Sequence, residues 1–295
     1  MATDVSDAFI NQYESEVHQQ FQRRGSYLLP TVRTKSRVEG QAVIFQKMGT
    51  GVATTKSRHG TVTPMNVSHT PITVTLADFY AGDYADARDL DKLNIDERME
   101  LAAAGAMALG RKIDDQIATA LDATTQTAVT VTVTSFASVR AGFLNAVEDL
   151  ADNDVPFDGQ VWGVMTNRLW SQLMQVDQFI RIDYTGPANL PYMDGYTVGK
   201  QFKSWLGVHW QAHNGLPGKG TSTAKGFVYH KRSIGYGYST IVEGATAGQA
   251  KADVGWLVER QAWFIVHGMS GQAALIDDLG CIETNHNDTT AIATS

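Results

Sequence analysis

Two kinds of stretch contain residue types that carry out chemistry in other proteins, but neither has the spacing that its chemistry needs. A phosphate-binding loop follows the pattern GxxxxGK[ST], in which glycines let backbone amides surround a phosphate. The stretch GTGVATTKS, residues 49–57, has glycines and a Lys-Ser pair at other intervals. A nucleophilic serine needs GxSxG, and both GMSGQ and GYGYST depart from it. These stretches therefore indicate neither a nucleotide site nor a hydrolase.

The histidine, cysteine and acidic residues also lack a catalytic or metal-binding pattern. HWQAH holds His209 and His213 in a strand-like segment, where the two rings need not share a face, so a structural role is predicted. Asp114 and Asp115 are neighbours on a predicted helix and point about 100° apart, which favours solvated or interface charges. Cys281 ends an apolar strand and is predicted to serve packing. We predict no catalytic residue, no cofactor and no metal site.

Composition and charge are those of an ordinary globular chain. The 295 residues are 43% hydrophobic and 19% charged, and the net charge of −7 does not indicate a nucleic-acid-binding protein. A single cysteine excludes an intrachain disulfide. Neither a signal peptide nor an apolar run of about 20 residues is recognisable. We therefore expect no membrane association and a protein that stays in the cytoplasm or leaves it only inside something larger.

One long basic stretch departs from this average. From Thr31 to Pro64 the sequence holds six lysines or arginines and one acid. Ile72, Val74 and Leu76 alternate with threonines, the period of a strand with one apolar face, whereas residues 38–45 alternate less regularly. Glycines and a proline interrupt the sequence between them. This pattern predicts a long hairpin with a wide, flexible tip that has no core of its own.

An amphipathic helix and an acidic segment flank the basic stretch. A helix is predicted over residues 7–24 because apolar side chains recur at three- and four-residue steps. They are Phe9, Ile10, Tyr13, Val17 and Phe21. Its stripe could pack on its own domain or on a neighbouring subunit. Residues 78–100 hold eight acids and three bases and are interpreted as an acidic connector.

A helix of unusual length is predicted after this connector, from about Asn94 to Leu121. Asn94 and Glu97 resemble a capping box, in which the first side chain accepts a hydrogen bond from a free amide. One apolar stripe continues along the whole segment: Ile95, Met99, Ala102, Ala106, Leu109, Ile113, Ile117 and Leu121. At 1.5 Å per residue this helix would be roughly 40 Å long, more a strut than an ordinary helix.

The second half mixes strands with shorter helices, so the predicted class is α+β. A helix is expected near 136–151, and DGQVWGVMTNRLWSQLMQV predicts a strand followed by a short helix. VGWLVERQAWFIVHGMSG predicts one long central strand, and the polar tail is expected to fray. Further strands are predicted at 129–133, 226–229 and 234–242.

In this order, the elements resemble the tailed-bacteriophage major capsid protein of the Hong Kong 97 fold. The resemblance extends to the sequence. Residues 40–122, from GQAVIFQ to IATALD, look like the extended loop and spine helix of one branch of phage capsid proteins. FIRIDYTGPANLPYMDGYTVGKQFKSWLGVHWQAHNGLP, residues 179–217, resembles a later signature of that branch. About 9–285 fall under the match, and its specificity lies in the order and spacing of the segments.

The resemblance implies a division of the chain. The regions are an N-terminal arm, 1–32; an extended loop, 33–78; a peripheral domain, 79–135 and 255–285, with the spine helix 94–121; an axial domain, 136–254; and a polar tail, 286–295. The namesake locks its shell with Lys–Asn isopeptide bonds. We predict none here, because no matching asparagine or acid is identified for Lys47 or Lys56.

The implied function is structural. The family forms pentamers and hexamers that close into an icosahedral shell around packaged double-stranded DNA, without sequence-specific DNA binding. The implied partners are copies of the same chain, a scaffolding protein during assembly, a portal and, in some relatives, a decoration protein. The implied location is the capsid of the virion, assembled in the host cytoplasm.

Contacts between subunits are expected at the two extensions. We predict that the terminal helix packs on a neighbouring subunit and that the basic stretch lies across the acidic segment of the adjacent subunit. The predicted contact residues are Phe9, Tyr13, Val17, Phe21, Arg33, Lys35, Lys47, Lys56, Arg58, Asp83, Asp86 and Asp89.

Two other functions stay open on the sequence alone. A cellular nanocompartment shell, similar to the encapsulins, shares the fold and would enclose an enzyme instead of a genome. The 7–24 helix argues against it, because those shells often lack so long an arm. An unrecognised cytoplasmic enzyme would be a monomer or small oligomer with a pocket.

Overall fold

The structure is a computed structural model that describes residues 25–86, 97–176, 179, 202–239 and 251–289. The predicted helix over 7–24 and the start of the long helix lie outside this part of the chain. The chain divides into two units. The first comprises Met1–Gly25, Asp78–Arg111 and Val242–Met269, and the second comprises Ser26–Ala77, Lys112–Ile241 and Ser270–Ser295.

The described elements confirm the α+β class. In chain order they are a 3₁₀ turn Leu29–Thr31, β1 Arg33–Lys35, β2 Ala42–Met48, β3 His69–Thr75, β4 Ala77–Asp86, α1 Glu97–Leu121, β5 Val129–Val131, α2 Phe136–Asp152, β6 Val161–Met165, α3 Asn167–Leu173, β7 Phe202–Trp205, β8 Val208–Ala212, β9 Ala224–His230, β10 Ile234–Ser239, β11 Lys251–Leu257, β12 Ala262–Leu275, a 3₁₀ turn Asp278–Gly280 and β13 Cys281–His286. No described helix is long and apolar enough to cross a membrane.

The second unit contains a six-stranded sheet in the order β5-β13-β9-β6-β8-β7. Its largest apolar cluster joins residues of α2 and α3 to side chains of this sheet. Both helices begin at capped residues: Ser135 exchanges hydrogen bonds with Ser138 in a capping box, and the Thr166 hydroxyl accepts the Leu169 amide. The ring of Phe143 meets the ring of Trp210 edge-on at 4.8 Å between centroids.

Helix α1 ends at Leu121, as the apolar spacing predicts, and its 25 residues span about 37 Å. The predicted stripe is buried only in its carboxyl-terminal half, where Leu109, Ile113 and Ile117 are at most 4% exposed. Met99, near the other end of the same stripe, is 70% exposed. Helical periodicity therefore places the face correctly without indicating how much of it is covered.

In the first unit, the prediction of one long strand over 254–271 is wrong. β11 and the first part of β12 form an antiparallel hairpin, in which Leu257 lies opposite Ala262. The chain turns at 258–261, where the Arg260 amide donates to the Leu257 carbonyl and Gln261 has a φ of 49°. β12 also pairs with β4, so the segment interpreted as an acidic connector begins as a strand.

In the second unit, the carboxyl-terminal part of β12 pairs with β10, and β1 runs parallel to β10 on its other side. The predicted fraying of the tail is wrong as far as residue 289. His286 belongs to β13, and the Asp288 carboxylate accepts hydrogen bonds from the Thr166 hydroxyl and the Gly220 amide. Residues 290–295 lie outside the described part. β5 is shorter than predicted, because the chain leaves the strand after Val131 to reach the cap of α2.

Candidate assembly surfaces

The predicted hairpin is confirmed, and its base is docked on its own chain. β2 and β3 pair antiparallel, with Ala42 opposite Thr75 and Met48 opposite His69. The side chains of Val43, Phe45 and Val74 are at most 3% exposed and pack with Ile276, which follows β12. Burying such a side chain contributes roughly 1.5–3 kcal/mol. The base is therefore held by apolar contacts, which fits the strand-like alternation of its sequence.

Two glycines of β10 make this close docking possible. A Cβ atom on Gly235 would lie 2.8 Å from the Phe45 ring, and one on Gly237 would lie 3.0 Å from the Val43 side chain. In IGYGYS the tyrosines alternate with these glycines, so the aromatic side chains point away from the hairpin. The Tyr236 hydroxyl donates to Gln116 of α1.

Beyond the base, the hairpin tip, residues 49–68, is exposed. The Gly49 amide donates to the Ser68 carbonyl at 2.8 Å, and residues 50–59 and 61–66 are all accessible to solvent. Val52, Val62 and Met65 are 76%, 71% and 59% exposed. The tip thus combines exposed apolar side chains with the basic residues already noted, and it contains no acid.

The basic residues of the hairpin do not share one environment. The Lys47 ammonium binds the Asp277 carboxylate of the same chain at 2.7 Å, although Lys47 is among the predicted intersubunit contacts. Both side chains are more than a third exposed, so this ion pair contributes about 0–1 kcal/mol. Lys56 and Arg58 lie exposed on the tip and form no ion pair with the residues that the structure describes.

Arg33 and Lys35 lie in β1, at the root of the hairpin, and are exposed. The Arg33 guanidinium lies 5.7 Å from the centroid of the Phe45 ring, within the range of a cation–π contact. The predicted contact residues of the terminal helix, Phe9, Tyr13, Val17 and Phe21, lie outside the described part of the chain, and so does Asp89.

The remaining predicted acids, Asp83 and Asp86, are exposed on β4. Because successive side chains of a strand alternate between its faces, these two carboxylates point to opposite sides. The Asp83 carboxylate accepts the Tyr84 amide at 2.8 Å. The two acids therefore do not form one patch on this strand.

Sequence reasoning missed an aromatic face on this part of the first unit. Tyr80 is 74% exposed and Tyr84 is 43% exposed, on the same side of β4. The Tyr84 ring lies 4.7 Å from the Phe264 ring of β12, and the Arg260 guanidinium lies 4.7 Å from the Tyr84 centroid. The spacing Tyr-Ala-Gly-Asp-Tyr carries the signal, because residues 80, 82 and 84 share a strand face.

Asp114 corrects the prediction of a solvated or interface charge. Its side chain is fully buried in the second unit. Burial alone would raise the pKa of Asp114, but hydrogen bonds from His213, Ser26 and the amides of Leu28 and Tyr27 outweigh it and lower the pKa below its usual range. The carboxylate is therefore charged and structural.

The other candidates for chemistry have structural surroundings. His213 binds Asp114, whereas the His209 ring contacts the Gly159 carbonyl at 3.1 Å, so the two histidines are separate. Cys281 is fully buried, and burial raises the pKa of its thiol. Within the described ranges, no three His, Cys, Asp or Glu side chains come together in an arrangement that could hold a metal ion.

Comparison with known proteins gives one family and one fold. The profile of the phage capsid protein family matches residues 5–288. The capsid of cyanophage P-SCSP1u is similar, with a TM-score of 0.75 at 16% identity over 97% of this chain and 95% of that chain. The capsid of Ralstonia phage GP4 has a TM-score of 0.70 at 12% identity over 97% of each chain. A Mycobacterium phage Che8 chain has a TM-score of 0.67 at 15% identity, covering 97% of this chain and 99% of that one. No curated protein matches.

The chain belongs to the phage capsid protein family, whose profile spans almost its whole length. It is a major capsid protein of a tailed phage with a Hong Kong 97-like fold, and it is located in the virion capsid. A capsid protein is a subunit of an oligomeric shell, and its role is structural. The absence of catalytic activity stays a prediction.

Proposed function

We propose that this chain assembles as pentamers and hexamers into an icosahedral shell that encloses packaged double-stranded DNA. The observation that carries the proposal is the hairpin, whose base is buried on its own chain while its tip is exposed. Such a division gives one end of the hairpin a fixed position and leaves the other end to find its contacts on another subunit.

The tip has side chains that gain from such a contact. Val52, Val62 and Met65 are each more than half exposed, and burying each would contribute roughly 1.5–3 kcal/mol. Ordering the tip backbone costs about 1–2 kcal/mol per residue, and burial of these side chains on a neighbouring subunit would offset part of that cost. A neighbouring copy supplies the missing surface at every position of a shell.

Charge favours one register of this contact. We propose that Lys56 and Arg58 lie near the acidic segment 78–100 of the adjacent subunit. Each exposed ion pair contributes only about 0–1 kcal/mol, but opposite charges select the partner surface and orientation. Lys47 contributes less to this selection, because its ammonium already binds Asp277 of its own chain.

The remaining proposed partners are those that the family resemblance implies. The terminal helix, 7–24, packs on a neighbouring subunit, so deletion of residues 1–24 should impair assembly more than folding. Beyond copies of the chain, these partners are a scaffolding protein during assembly, a portal and, in some relatives, a decoration protein. DNA is enclosed without sequence-specific binding, which fits a net charge of −7, because a strongly basic lining would trap DNA in a salt-dependent way.

The test is negative-stain microscopy of the purified protein, co-expressed with its scaffolding protein. The wild-type protein should form closed shells. A variant in which an Asn-Gly turn replaces residues 50–66 should keep the wild-type melting temperature and form none. A second variant has a Gly/Ser tip of unchanged length, so it distinguishes the length of the tip from the chemistry of its side chains. We expect that this variant also forms no closed shells.

Other outcomes would contradict the proposal. Wild-type protein that elutes as a monomer or small oligomer from size-exclusion chromatography would favour an enzyme. Shells that contain an enzyme and no DNA would identify a cellular nanocompartment. Normal shells from the variant with the Asn-Gly turn would show that the tip is not an assembly contact.

A further inference from the structure

A buried carboxylate holds the chain at the root of the N-terminal arm. The Ser26 hydroxyl and the Leu28 amide both donate to Oδ1 of Asp114. The Tyr27 amide donates to both carboxylate oxygens, at 3.1 Å each. Three consecutive residues are thus bound to one side chain of α1, and the separation along the sequence is 88 residues for Ser26 and Asp114.

His213 completes this group from the other side. The Gly215 amide donates to Nδ1 of His213 at 3.1 Å, so Nε2 carries the hydrogen and donates to Oδ2 of Asp114, also at 3.1 Å. Both side chains are fully buried. The carboxylate therefore receives donors at both oxygens, an arrangement that holds a buried charge firmly. We call Ser26, Tyr27, Leu28, Asp114 and His213 the arm latch.

The residues directly before and after the arm latch differ in burial and backbone conformation. After it, Leu28 and Val32 are at most 1% exposed, and the Thr31 hydroxyl lies 2.5 Å from the Tyr229 hydroxyl. Before it, Gly25 has a φ of 71°, in the left-handed region that favours glycine. The latch therefore lies between a turn residue and the first apolar anchor of the second unit.

We propose that Asp114 is the positioning residue for the root of the N-terminal arm, fixing residues 26–28 on the second unit. Opening the latch would free residues 26–28 from α1 while the six-stranded sheet stays folded. For shell formation the inference rests on the proposed function, since only an assembly requires every arm to start in the same direction.

Amide hydrogen exchange of Asp114→Asn and Asp115→Asn tests this proposal. Both substitutions remove one negative charge from α1, but Asp115 is exposed and so provides the matched control. In Asp114→Asn, the Tyr27 and Leu28 amides should exchange at least about tenfold faster, because each loses a charged acceptor. The exchange rates of the β9 amides should change less than about twofold in Asp114→Asn. In Asp115→Asn the exchange rates of Tyr27, Leu28 and the β9 amides should all change less than about twofold.

Ser26→Ala keeps the test decisive if Asp114→Asn fails to fold. It removes one donor and leaves the carboxylate in place, and it should raise exchange of the same two amides by about threefold. Unchanged exchange of Tyr27 and Leu28 would overturn the proposal, and so would an equal rise in β9, because the contact would then be an inseparable part of the core. These results need no shell, whereas failure of the wild-type protein to form shells would count against the proposed function alone.

Discussion

At the residue scale, Gly163 of β6 leaves no room for a side chain. A Cβ atom there would lie 2.2 Å from the Trp210 ring, far inside contact distance. The ring cannot move away easily, because it is buried against Phe143 and its Nε1 donates to the Trp205 carbonyl at 3.0 Å. A single missing side chain thus lets the largest aromatic residue of the core lie directly on the strand.

We therefore expect Gly163→Ala to lower the free energy of unfolding by about 3 kcal/mol, the upper range for overpacking. Urea denaturation followed by tryptophan fluorescence measures this change. Gly255→Ala is the matched control, because β11 has open space where its Cβ would lie, and it should change stability by less than about 0.5 kcal/mol. Equal effects of the two substitutions would show that the Trp210 contact does not limit packing.

The Asp278 carboxyl should make the stability of the fold depend on pH. Burial raises the pKa of its carboxyl, but hydrogen bonds from Thr125, Gln126 and Thr124 outweigh that effect and lower the pKa to about 2. A carboxyl with a lowered folded-state pKa stabilises the fold above its unfolded pKa of about 3.9, and this contribution is lost as the pH falls toward 2.

Asp278→Asn should accordingly be less stable than the wild-type protein by about 1 kcal/mol at neutral pH, after allowance for solvent screening. Denaturation at a series of pH values should show the difference shrinking below about pH 4 and vanishing near pH 2. Asp115→Asn, with the same charge change at an exposed position, is the control. A difference that stays constant from pH 7 to pH 2 would mean that the carboxylate charge is not the cause.

At the element scale, the hairpin depends on how its base meets β10. Phe45 and Val43 pack where Gly235 and Gly237 leave the strand surface bare. The docked base is small, so it should open more easily than the six-stranded sheet.

Gly235→Val tests this docking. Its side chain would meet both Phe45 and Ile276 and should lift the base of the hairpin. Hydrogen exchange in β2 and β3 should then rise by at least about tenfold with little change in β9. Gly255→Val is the control at an open strand position. Protected β2 and β3 amides in Gly235→Val would mean that the hairpin is held by contacts other than these.

Sequence reasoning succeeded where the pattern was long and local. α1 was predictable because its apolar spacing persists over many turns, and the hairpin because threonines alternate with apolar residues in β3. The β11–β12 turn was not predicted, because Val258-Glu-Arg-Gln261 contains none of the residues that usually mark turns. The burial of Asp114 was not predicted, because its partners Ser26 and His213 lie 88 and 99 residues away in the sequence. Local periodicity carries no information about such distant pairs.

At the scale of the whole molecule, charge is distributed unevenly along the chain. The net charge is −7, yet Thr31–Pro64 holds six basic residues and one acid while Asp78–Glu100 holds eight acids and three bases. Exposed charges interact strongly only within about 8 Å at physiological salt. An asymmetry of this kind therefore influences assembly where oppositely charged surfaces of adjacent subunits come close together.

Charge reversal decides whether they meet. Lys56→Glu with Arg58→Glu should lower the yield of closed shells by at least about tenfold, since attraction becomes repulsion at every copy of the contact. Lys219→Glu with Arg232→Glu makes the same change in net charge at exposed positions outside the hairpin, and it should leave the yield unchanged. Particle counts by negative-stain microscopy, with melting temperatures to confirm folding, provide the measurement.

Reversing the acids then identifies the partner surface. The triple substitution Asp83→Lys, Asp86→Lys and Asp89→Lys should partly restore shells in the variant with Lys56→Glu and Arg58→Glu, here called the reversed-tip variant. The same triple substitution alone should reduce the yield of shells. Because Asp83 and Asp86 point to opposite faces of β4, the single reversals should differ, and the one facing the tip should account for most of the rescue.

Raising the salt to about 1 M shortens the screening length to roughly 3 Å, so it should weaken wild-type assembly and reduce the defect of the reversed-tip variant. Normal assembly of the reversed-tip variant would contradict the electrostatic contact. A defect without rescue would mean that the tip cations meet a surface other than the acidic segment.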